Sequence, residues 1–297
     1  MTGSESRGYH EDLDLFREAL SFTQSETRFG ARLVEKDYYC SLVLHDLLSM
    51  TMPAWAFKGG TCLSKVHSDF YRMSEDLDFA FSVPVDAPRA ARSRTIVPMK
   101  EHLVKLSGRF SCFTVLEPLR GHNNSTQYVG QIGYRSLMTG RDESIKVEFS
   151  VREPILEPIA HLPARTLLMD PFRRRPVLEP LTIPVLSRRE AYAEKIRAAL
   201  TRRDPAIRDF YDIDHAIRTQ RVDARDPRLL RLVRAKLAVP GTQPVDVGDK
   251  RFDVLKRQTP SQLRPVLRDT EYAAFDLERT FAVLKQLADA VAEHRGR

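Results

Sequence analysis

Apolar residues recur at helical spacing in the N-terminal part of the chain. Residues 10–50 are predicted to form two helices, because apolar side chains three or four positions apart lie on one helix face. In the second helix these residues are Tyr38, Leu42, Val43, Leu44, Leu47 and Leu48. A strand from Ala54 to Phe57, a helix that begins at Thr61 and a strand from Leu77 to Phe81 are predicted to follow.

The middle of the chain has the pattern of neighbouring strands. A charged helix is predicted over 88–107, and three strands are predicted after it, at 112–116, 127–134 and 145–151. The polar turns GHNNS and TGRDE separate these strands. Helices mixed with neighbouring strands predict an α+β domain built on a mixed sheet flanked by helices. Frequent prolines predict an extended, irregular connection over 152–186.

The last third of the chain is predicted to be helical. Ser187 and Glu190 have the spacing of a reciprocal capping box at the start of a helix, and Asp204-Pro205 is predicted to begin the next one. The helices expected after these lie at about 226–237, 250–257 and 270–293. The predicted domains are a sheet domain with N-terminal helices over 1–186 and a helical domain over 187–297.

Three carboxylates fall on the exposed faces of predicted strands. Alternate side chains of a strand share a face, so Asp76 and Asp78 point together, away from the apolar residues between and after them. Glu148 lies on the corresponding face of the 145–151 strand. If these strands are neighbours, the three acids repel one another unless protons, cationic side chains or a divalent ion neutralise them. Oxygen ligands suit Mg²⁺ or Mn²⁺, so a metal site is predicted at Asp76, Asp78 and Glu148.

A glycine pair precedes the first two acids. Gly59 and Gly60 have no Cβ, so their backbone N–H groups can approach an anion closely. The helix predicted from Thr61 would aim its positive end at a phosphate, and the threonine could add a hydroxyl. A glycine pair is more often only a turn, but here one helix would bring it next to the acids. The arrangement predicts a site for a nucleoside triphosphate and metal.

Composition and net charge indicate which kinds of partner and which compartment suit the protein. The chain has 297 residues and a net charge of +7, which favours a polyanionic partner such as RNA or a nucleotide. Three cysteines in apolar-looking segments suggest neither disulfides nor a zinc site, and fit a reducing cytoplasm. The acidic N-terminal sequence is unlike a signal peptide, and no apolar stretch is long enough to cross a bilayer. We therefore expect a soluble, cytoplasmic protein that does not contact membranes.

Six stretches of the sequence, in order, resemble the AbiEii/AbiGii-type nucleotidyltransferase toxins, relatives of the MenT toxins. These are LVEKDYYCSLVLHDLL (33–48), FKGGTCLSK (57–65), RMSEDLDF (72–79), KVEFS (146–150), EKIRAAL (194–200) and RDFYDI (208–213). The resemblance covers roughly residues 30–215. It implies a polymerase-β-like nucleotidyltransferase whose helical C-terminal part contributes to the active site. It also implies a toxin with a cognate antitoxin that transfers nucleotides from an NTP to the 3′ acceptor end of tRNA, blocking translation.

The resemblance also implies roles for individual residues. Asp76 and Asp78 would bind the metal, with Glu148 as the third acid, and Lys195 and Asp212 would complete the catalytic set. The residues implied to hold the triphosphate are Lys58, Gly59, Gly60, Thr61 and Lys195. Thr61 replaces the serine common after the glycines, and it keeps the hydroxyl.

Several assignments have structural alternatives. Lys146 could simply neutralise Glu148, Lys195 could cover apolar surface, and Arg208 could pair with Asp212. Asp209, Arg72 and Ser74 are open between a functional and a structural role. A basic cluster is expected to contact tRNA in part, although such runs are usually solvated: Arg173, Arg174, Arg175, Arg188, Arg189, Arg197, Arg202 and Arg203.

Two other functions fit the same sequence. The first is a nucleotidyltransferase that modifies a protein hydroxyl or a small molecule, and the second is a non-catalytic module that binds nucleotide or RNA. The attacking 3′-hydroxyl of an RNA end would be helped by Glu148 or Asp212, and the sequence leaves that choice open.

Overall fold

The computed structural model describes residues 8–50 and 55–293, in which the chain forms one mixed sheet surrounded by helices. The strands are β1 (Trp55–Lys58), β2 (Leu77–Phe81), β3 (Phe113–His122), β4 (Gln127–Arg135), β5 (Asp142–Ser150), β6 (Ala160–Ala164) and β7 (Leu181–Val185). The helices before β6 are α1 (Leu13–Thr27), α2 (Ala31–Leu48), α3 (Gly59–Cys62), α4 (Arg89–Val104) and α5 (Leu106–Arg109). Those after β7 are α6 (Arg188–Thr201), α7 (Ile207–Gln220), α8 (Pro227–Leu237), α9 (Asp249–Gln258), α10 (Asp269–Ala274) and α11 (Leu277–Glu293).

The strand order is β3-β4-β5-β2-β1-β7-β6. β2 pairs with β5 in parallel and with β1 in antiparallel fashion, and β1 pairs with β7 in parallel. The remaining neighbours are antiparallel. The expected α+β class with a mixed sheet is therefore confirmed, and the strands that carry the candidate acids lie side by side.

Two apolar clusters cover the two faces of the central strands. The larger cluster packs one face of the sheet against α1, α2 and α4, and the smaller one gathers α6 to α9 and α11. Neighbouring residues of β1 divide between them, since Phe57 belongs to the first cluster and Ala56 to the second. The helices after β7 thus pack on the sheet face that also carries the candidate acids.

An aromatic ladder fixes the register of the three central strands. Phe57, Phe79 and Phe149 are paired in register across β1, β2 and β5. Their ring centroids are 5.3 Å apart for the first pair and 4.8 Å apart for the second. Because strand side chains alternate between faces, this register leaves the adjacent residues Lys58, Asp78 and Glu148 on the opposite face.

Several predicted boundaries are confirmed and others are wrong. The strand at 77–81 is confirmed, and the helices predicted at 226–237 and 250–257 match α8 and α9 within one residue. The long helix predicted from Thr61 is instead the single turn of α3, followed by a π-helical turn over Leu63–His67. The predicted helix at 270–293 is divided into α10 and α11. Ala54, the predicted start of the first strand, lies outside the described residues.

Two predicted helix caps, at the starts of α6 and α7, can be compared with the structure. The Ser187 hydroxyl accepts a hydrogen bond from the Glu190 N–H at the start of α6, as predicted. The reciprocal half of the capping box is wrong, because the buried Glu190 carboxylate binds the backbone N–H groups of Leu156 and Glu157. The cap predicted at Asp204-Pro205 is also wrong, since the chain there is exposed and α7 begins only at Ile207. No helix among the described residues is long and apolar enough to span a membrane.

A buried ion pair ties the segment after the glycines to α2. The Nζ of Lys65 lies 2.5 Å from Oδ1 of Asp37, and both side chains are almost completely buried. The Lys65 ammonium also donates to the Ser41 hydroxyl, and Asp37 accepts from the Leu167 N–H. These contacts join three distant segments beneath the sheet. They neutralise the two opposite charges, which are buried away from water.

Replacing Lys65 with methionine should lower the free energy of unfolding by about 3–5 kcal/mol, because Asp37 would remain buried without its cation. Urea unfolding at neutral pH measures this loss. The matched control is Lys105→Met at an exposed position, which should change stability by less than about 0.5 kcal/mol. Equal stability of the two variants would show that the pair contributes nothing to folding.

Candidate active site

A cleft of about 900 Å³ lies between the acid-bearing strands and the first two helices after β7. Its sheet side is formed by β1, β2 and β5, and its helical side by α6, the start of α7 and residues 240–243. The predicted site residues that line it are Lys58, Gly59, Gly60, Asp76, Asp78, Glu148 and Lys195. Residues far apart in sequence therefore meet around one space.

Asp78 lies at the centre of the acidic side. It is the register partner of Glu148 on β5 and of Lys58 on β1. Asp76 precedes β2 by one residue and also lines the cleft. The predicted adjacency of the two acid-bearing strands is thus confirmed.

The carboxylates differ in their electrostatic state. Burial, followed by the charge of Glu148, raises the pKa of Asp78 from 3.8 to about 6. Burial would also raise the pKa of Glu148, but the hydrogen bond and charge of Lys146 outweigh it and hold that pKa below its usual value. The Lys146 Nζ lies 2.8 Å from the Glu148 Oε2. Negative charge is therefore compensated at Glu148 and left largely uncompensated at Asp78.

The metal site predicted at Asp76, Asp78 and Glu148 stays a prediction. Within residues 8–50 and 55–293, no group of three or more His, Cys, Asp or Glu side chains is arranged to hold a metal ion. Glu148 is held by Lys146, so the lysine takes the neutralising role that a cation would have. Asp76 and Asp78 have no hydrogen-bonded or ion-paired side chain in the described part of the chain. These two acids, facing a polar cleft, keep free the oxygen ligands that a divalent cation prefers.

Gly59 makes room for Asp78. Its φ is +76°, in the left-handed region, and a Cβ built on it would overlap the Asp78 carboxylate and lie 2.9 Å from Asp78 Cγ. A Cβ on Gly60 would lie 2.5 Å from the Arg72 Nη2 and 2.8 Å from the Ser74 Oγ. Both glycines are therefore required by the close approach of polar side chains at the edge of the cleft.

Thr61 has a different position from the one predicted. Its side chain is buried, does not line the cleft, and donates its hydroxyl hydrogen to the backbone carbonyl of Asp76. It therefore cannot offer that hydrogen to a triphosphate in this conformation. The hydroxyl instead fixes the backbone that carries the first acid.

Asp212 lies behind the cleft rather than in it. It is completely buried and forms a bidentate ion pair with Arg72, whose Nη2 lies 2.8 Å from Oδ2. Tyr71 donates a hydrogen bond of 2.6 Å to it, and Lys195 lies 2.9 Å away. Burial would raise the Asp212 pKa, but Arg72 and Lys195 hold that pKa well below its usual range. The catalytic role of Asp212 stays a prediction.

The lysines of the cleft are held by acids on α6 and α7. The Lys195 Nζ lies 2.8 Å from Asp209 and, with Asp212, this neighbour outweighs burial and raises the lysine pKa. Lys58 pairs with Glu194 at 2.7 Å. The Lys195 ammonium therefore remains charged, and both lysine side chains are fixed at the surface of the cleft.

The predicted basic cluster is divided by the fold. Arg197, Arg202 and Arg203 line the cleft, but the remaining members do not: Arg173, Arg174, Arg175, Arg188 and Arg189. Sequence reasoning missed two cleft arginines, Arg152 and Arg208. Arg152 could have been found, because it continues the alternation of Lys146, Glu148 and Ser150, which all line the cleft.

Replacing Gly59 with alanine should lower the unfolding free energy by more than about 2 kcal/mol and abolish activity, because the methyl group would displace Asp78 and the left-handed φ would be strained. Chemical unfolding measures the first effect. Gly108→Ala is the matched control, since open space surrounds that glycine in α5. A Gly59→Ala protein as stable as this control would contradict the close approach.

Asp78 makes stability depend on pH. Its folded pKa of about 6 lies above the ordinary 3.8, so its stabilising contribution is present at low pH and is lost as pH rises through about 6. Asp78→Asn should therefore stabilise the metal-free protein by about 2 kcal/mol at pH 7.5, and the gain should disappear below pH 4. Urea unfolding in EDTA at both pH values tests this. Exposed Asp253→Asn should give a small, pH-independent change, and the same behaviour in Asp78→Asn would refute the shift.

The chain is similar to known proteins over most of its length. The chain matches the family described as Nucleotidyl transferase AbiEii toxin, Type IV TA system, over residues 45–292. It is similar to a solved candidate nucleotidyltransferase from H. pylori, with 15% identity, a TM-score of 0.46, and 98% of this chain and 97% of that chain covered. JHP933 from Helicobacter pylori has 14% identity, a TM-score of 0.46 and coverages of 99% and 94%.

No curated protein matches the chain significantly. The family match alone spans most of the sequence and includes the strands, glycines and helices that surround the cleft. The chain therefore belongs to the AbiEii nucleotidyltransferase toxin family of type IV toxin–antitoxin systems.

Proposed function

We propose that this chain transfers a nucleotide from a nucleoside triphosphate to the 3′ end of tRNA, in a reaction that depends on Mg²⁺ or Mn²⁺. The observation that carries the proposal is the pair Asp76 and Asp78. Their carboxylates face the cleft without a cationic side chain in contact, while the cations around them are held by other acids. A site of this kind is suited to a metal-bound polyphosphate.

Asp76 and Asp78 are the residues that would hold the metal. The bound cation would neutralise these acids together with the phosphate oxygens and stabilise the charge that develops during transfer. Glu148 would contribute at most from a distance, because Lys146 occupies its carboxylate. This assignment reduces the predicted three-acid set to two ligands from the protein.

Positive charge on the protein would orient the triphosphate. Lys58, Lys195 and Arg72 all reach the cleft and are fixed by ion pairs with acids. The backbone N–H groups of Gly59 and Gly60 lie at the start of α3, beside Asp78. Preorganised cations of this kind stabilise a transferring phosphoryl group without reorganising as the charge shifts.

Glu148, rather than Asp212, would help to activate the acceptor hydroxyl. Asp212 is buried, ion-paired and behind the cleft, so it is poorly placed as a base. Glu148 lines the cleft and is ionised at neutral pH. In the proposed step the 3′-oxygen bonds to the α-phosphorus, the bond to the β-phosphate oxygen breaks, the proton passes to Glu148 or to water, and pyrophosphate leaves.

Family membership supports the biological setting of the proposal. A toxin of a toxin–antitoxin system has a cognate antitoxin as partner, and we place both in the cytoplasm, where tRNA is found. Blocking the 3′ end of tRNA would prevent aminoacylation and so stop translation. Because an enzyme turns over, a small amount of the protein would be enough to block translation in a growing cell.

Purified protein, Mg²⁺, α-labelled NTPs and total tRNA should give labelled RNA. Asp76→Ala and Asp78→Ala should lower the rate by at least about 10³-fold, because each loses a metal ligand. EDTA should abolish labelling. Asp253→Asn, remote from the cleft, should retain full activity.

A wild-type protein that labels no RNA, or an Asp76→Ala variant that labels RNA equally well, would contradict the proposal. A second readout separates metal binding from turnover. Mg²⁺ should raise the melting temperature of the wild type and have little effect on Asp78→Ala. Label that appears on protein instead of RNA would favour a protein acceptor, and tight NTP binding without pyrophosphate release would favour a non-catalytic module.

A further inference from the structure

The two sides of the cleft carry charge in different ways. On the sheet side, acids and lysines lie next to each other along β1, β2 and β5. On the helical side, arginines dominate. Among the described residues, three of the arginines that line the cleft have no carboxylate partner to neutralise their charge.

Most cleft cations already have a carboxylate partner. These pairs are Lys58 with Glu194, Arg72 with Asp212, Lys146 with Glu148, Lys195 with Asp209, Arg197 with Glu153 and Arg202 with Asp209. In the part of the chain that the structure describes, Arg152, Arg203 and Arg208 line the cleft without a carboxylate within 4.0 Å. The cleft is therefore prepared for anionic charge beyond what its own acids supply.

Arg152 is the most strongly fixed of the three. Its Nη2 donates to the Pro240 carbonyl at 3.1 Å and to the Thr242 hydroxyl at 2.7 Å. The side chain is half-buried, and burial together with the nearby Arg197 lowers its pKa. A partly buried guanidinium without a counter-charge costs free energy, which a bound anion would recover. Its remaining N–H groups are free to donate.

The position of Arg152 separates it from the triphosphate site. It follows Glu148 by four residues, lies beyond the end of β5, and is anchored to residues 240–242 on the other side of the cleft. The cleft volume of about 900 Å³ is at the upper end of the range of about 300–1,000 Å³ for one small ligand. The cleft is thus as large as the larger single-ligand sites and extends past the acids to residues 240–243. Polar side chains suited to unpaired bases line it on both sides, Asn123 and Gln127 from the β3–β4 end of the sheet and Gln243 from the helical side.

We infer that Arg152, Arg203 and Arg208 form a subsite for the backbone phosphates of the RNA acceptor, with Arg152 held in place by Thr242. This inference rests on the proposed function, since it names the residues that receive the second substrate. The acceptor would enter along the helical side, and its 3′-hydroxyl would point towards Asp76 and Asp78. The triphosphate would use Lys58, Lys195 and the glycines instead.

The experiment measures binding separately from transfer. In the otherwise wild-type protein, with NTP omitted so that no transfer occurs while tRNA is bound, Arg152→Gln, Arg152→Lys, Thr242→Val and the remote control Arg94→Gln are compared. The dissociation constant of total tRNA is measured by filter binding between about 50 and 200 mM salt. The dissociation constant of the NTP is measured on the same proteins, and thermal unfolding verifies that each is folded.

Arg152→Gln should weaken tRNA binding about tenfold and reduce the slope of log affinity against log salt by about 0.7, the value for one lost contact to a single strand. NTP affinity should be unchanged. Arg152→Lys and Thr242→Val should give smaller losses, because the first keeps the charge and the second only releases the side chain. Arg94→Gln should alter neither constant, since Arg94 is exposed on α4 and does not line the cleft.

Unchanged tRNA affinity and salt slope in Arg152→Gln would overturn the subsite, as would a loss of NTP affinity in place of tRNA affinity. If the wild-type protein binds NTP but no tRNA, the acceptor of the proposed function is wrong and the subsite falls with it. If tRNA binding weakens as expected while the wild type transfers no nucleotide, the subsite is supported and the proposed reaction is contradicted.

Discussion

The register of three phenylalanines determines where the charges of the cleft lie. Phe57, Phe79 and Phe149 stack on the core face of neighbouring strands, and the charged residue next to each of them, Lys58, Asp78 and Glu148, projects to the other face. A slip of one residue in any strand would move a charged group into the core and an aromatic ring into the cleft. Apolar packing on one side of the sheet thus holds together side chains that repel one another on the other side.

The neighbouring carboxylates on the cleft face repel one another, and the residues around them determine how far each negative charge is neutralised. Lys146 compensates Glu148, whereas burial and the charge of Glu148 raise the pKa of Asp78, which packs closely against Gly59. Behind the cleft, Asp212 gathers Arg72 and Lys195 at the boundary between sheet and helices. The buried acid Asp212 orients two cations, whereas the partly buried acids Asp76 and Asp78 contact no cationic side chain of the described residues. The difference follows from the position of each acid and not from its residue type.

The sequence predicted the strands that carry the acids and brought Asp76, Asp78 and Glu148 to one place, because alternation along a strand is a short-range property. It could not predict what each polar group would contact. The Thr61 hydroxyl and the Asp212 carboxylate have partners about 15 and 140 positions away, so only the folded chain shows that they are occupied. The predicted helix after Thr61 failed for a similar reason, since its π-helical turn accompanies the tertiary contact of Lys65 with Asp37. Arg152 was missed although its alternation with Glu148 was visible.

The strand order has a consequence for how the protein is made. The central strand β2 pairs with β5, which is synthesised about 70 residues later, and Arg72 pairs with Asp212, which lies 140 positions after it in the chain. At a translation rate of about 5–20 residues per second, on the order of ten seconds separate the emergence of Arg72 from that of Asp212. The strand pairing and the buried ion pair can therefore form only after these later segments have left the ribosome. The cleft between sheet and helices is completed late in synthesis, after most of the sheet has emerged.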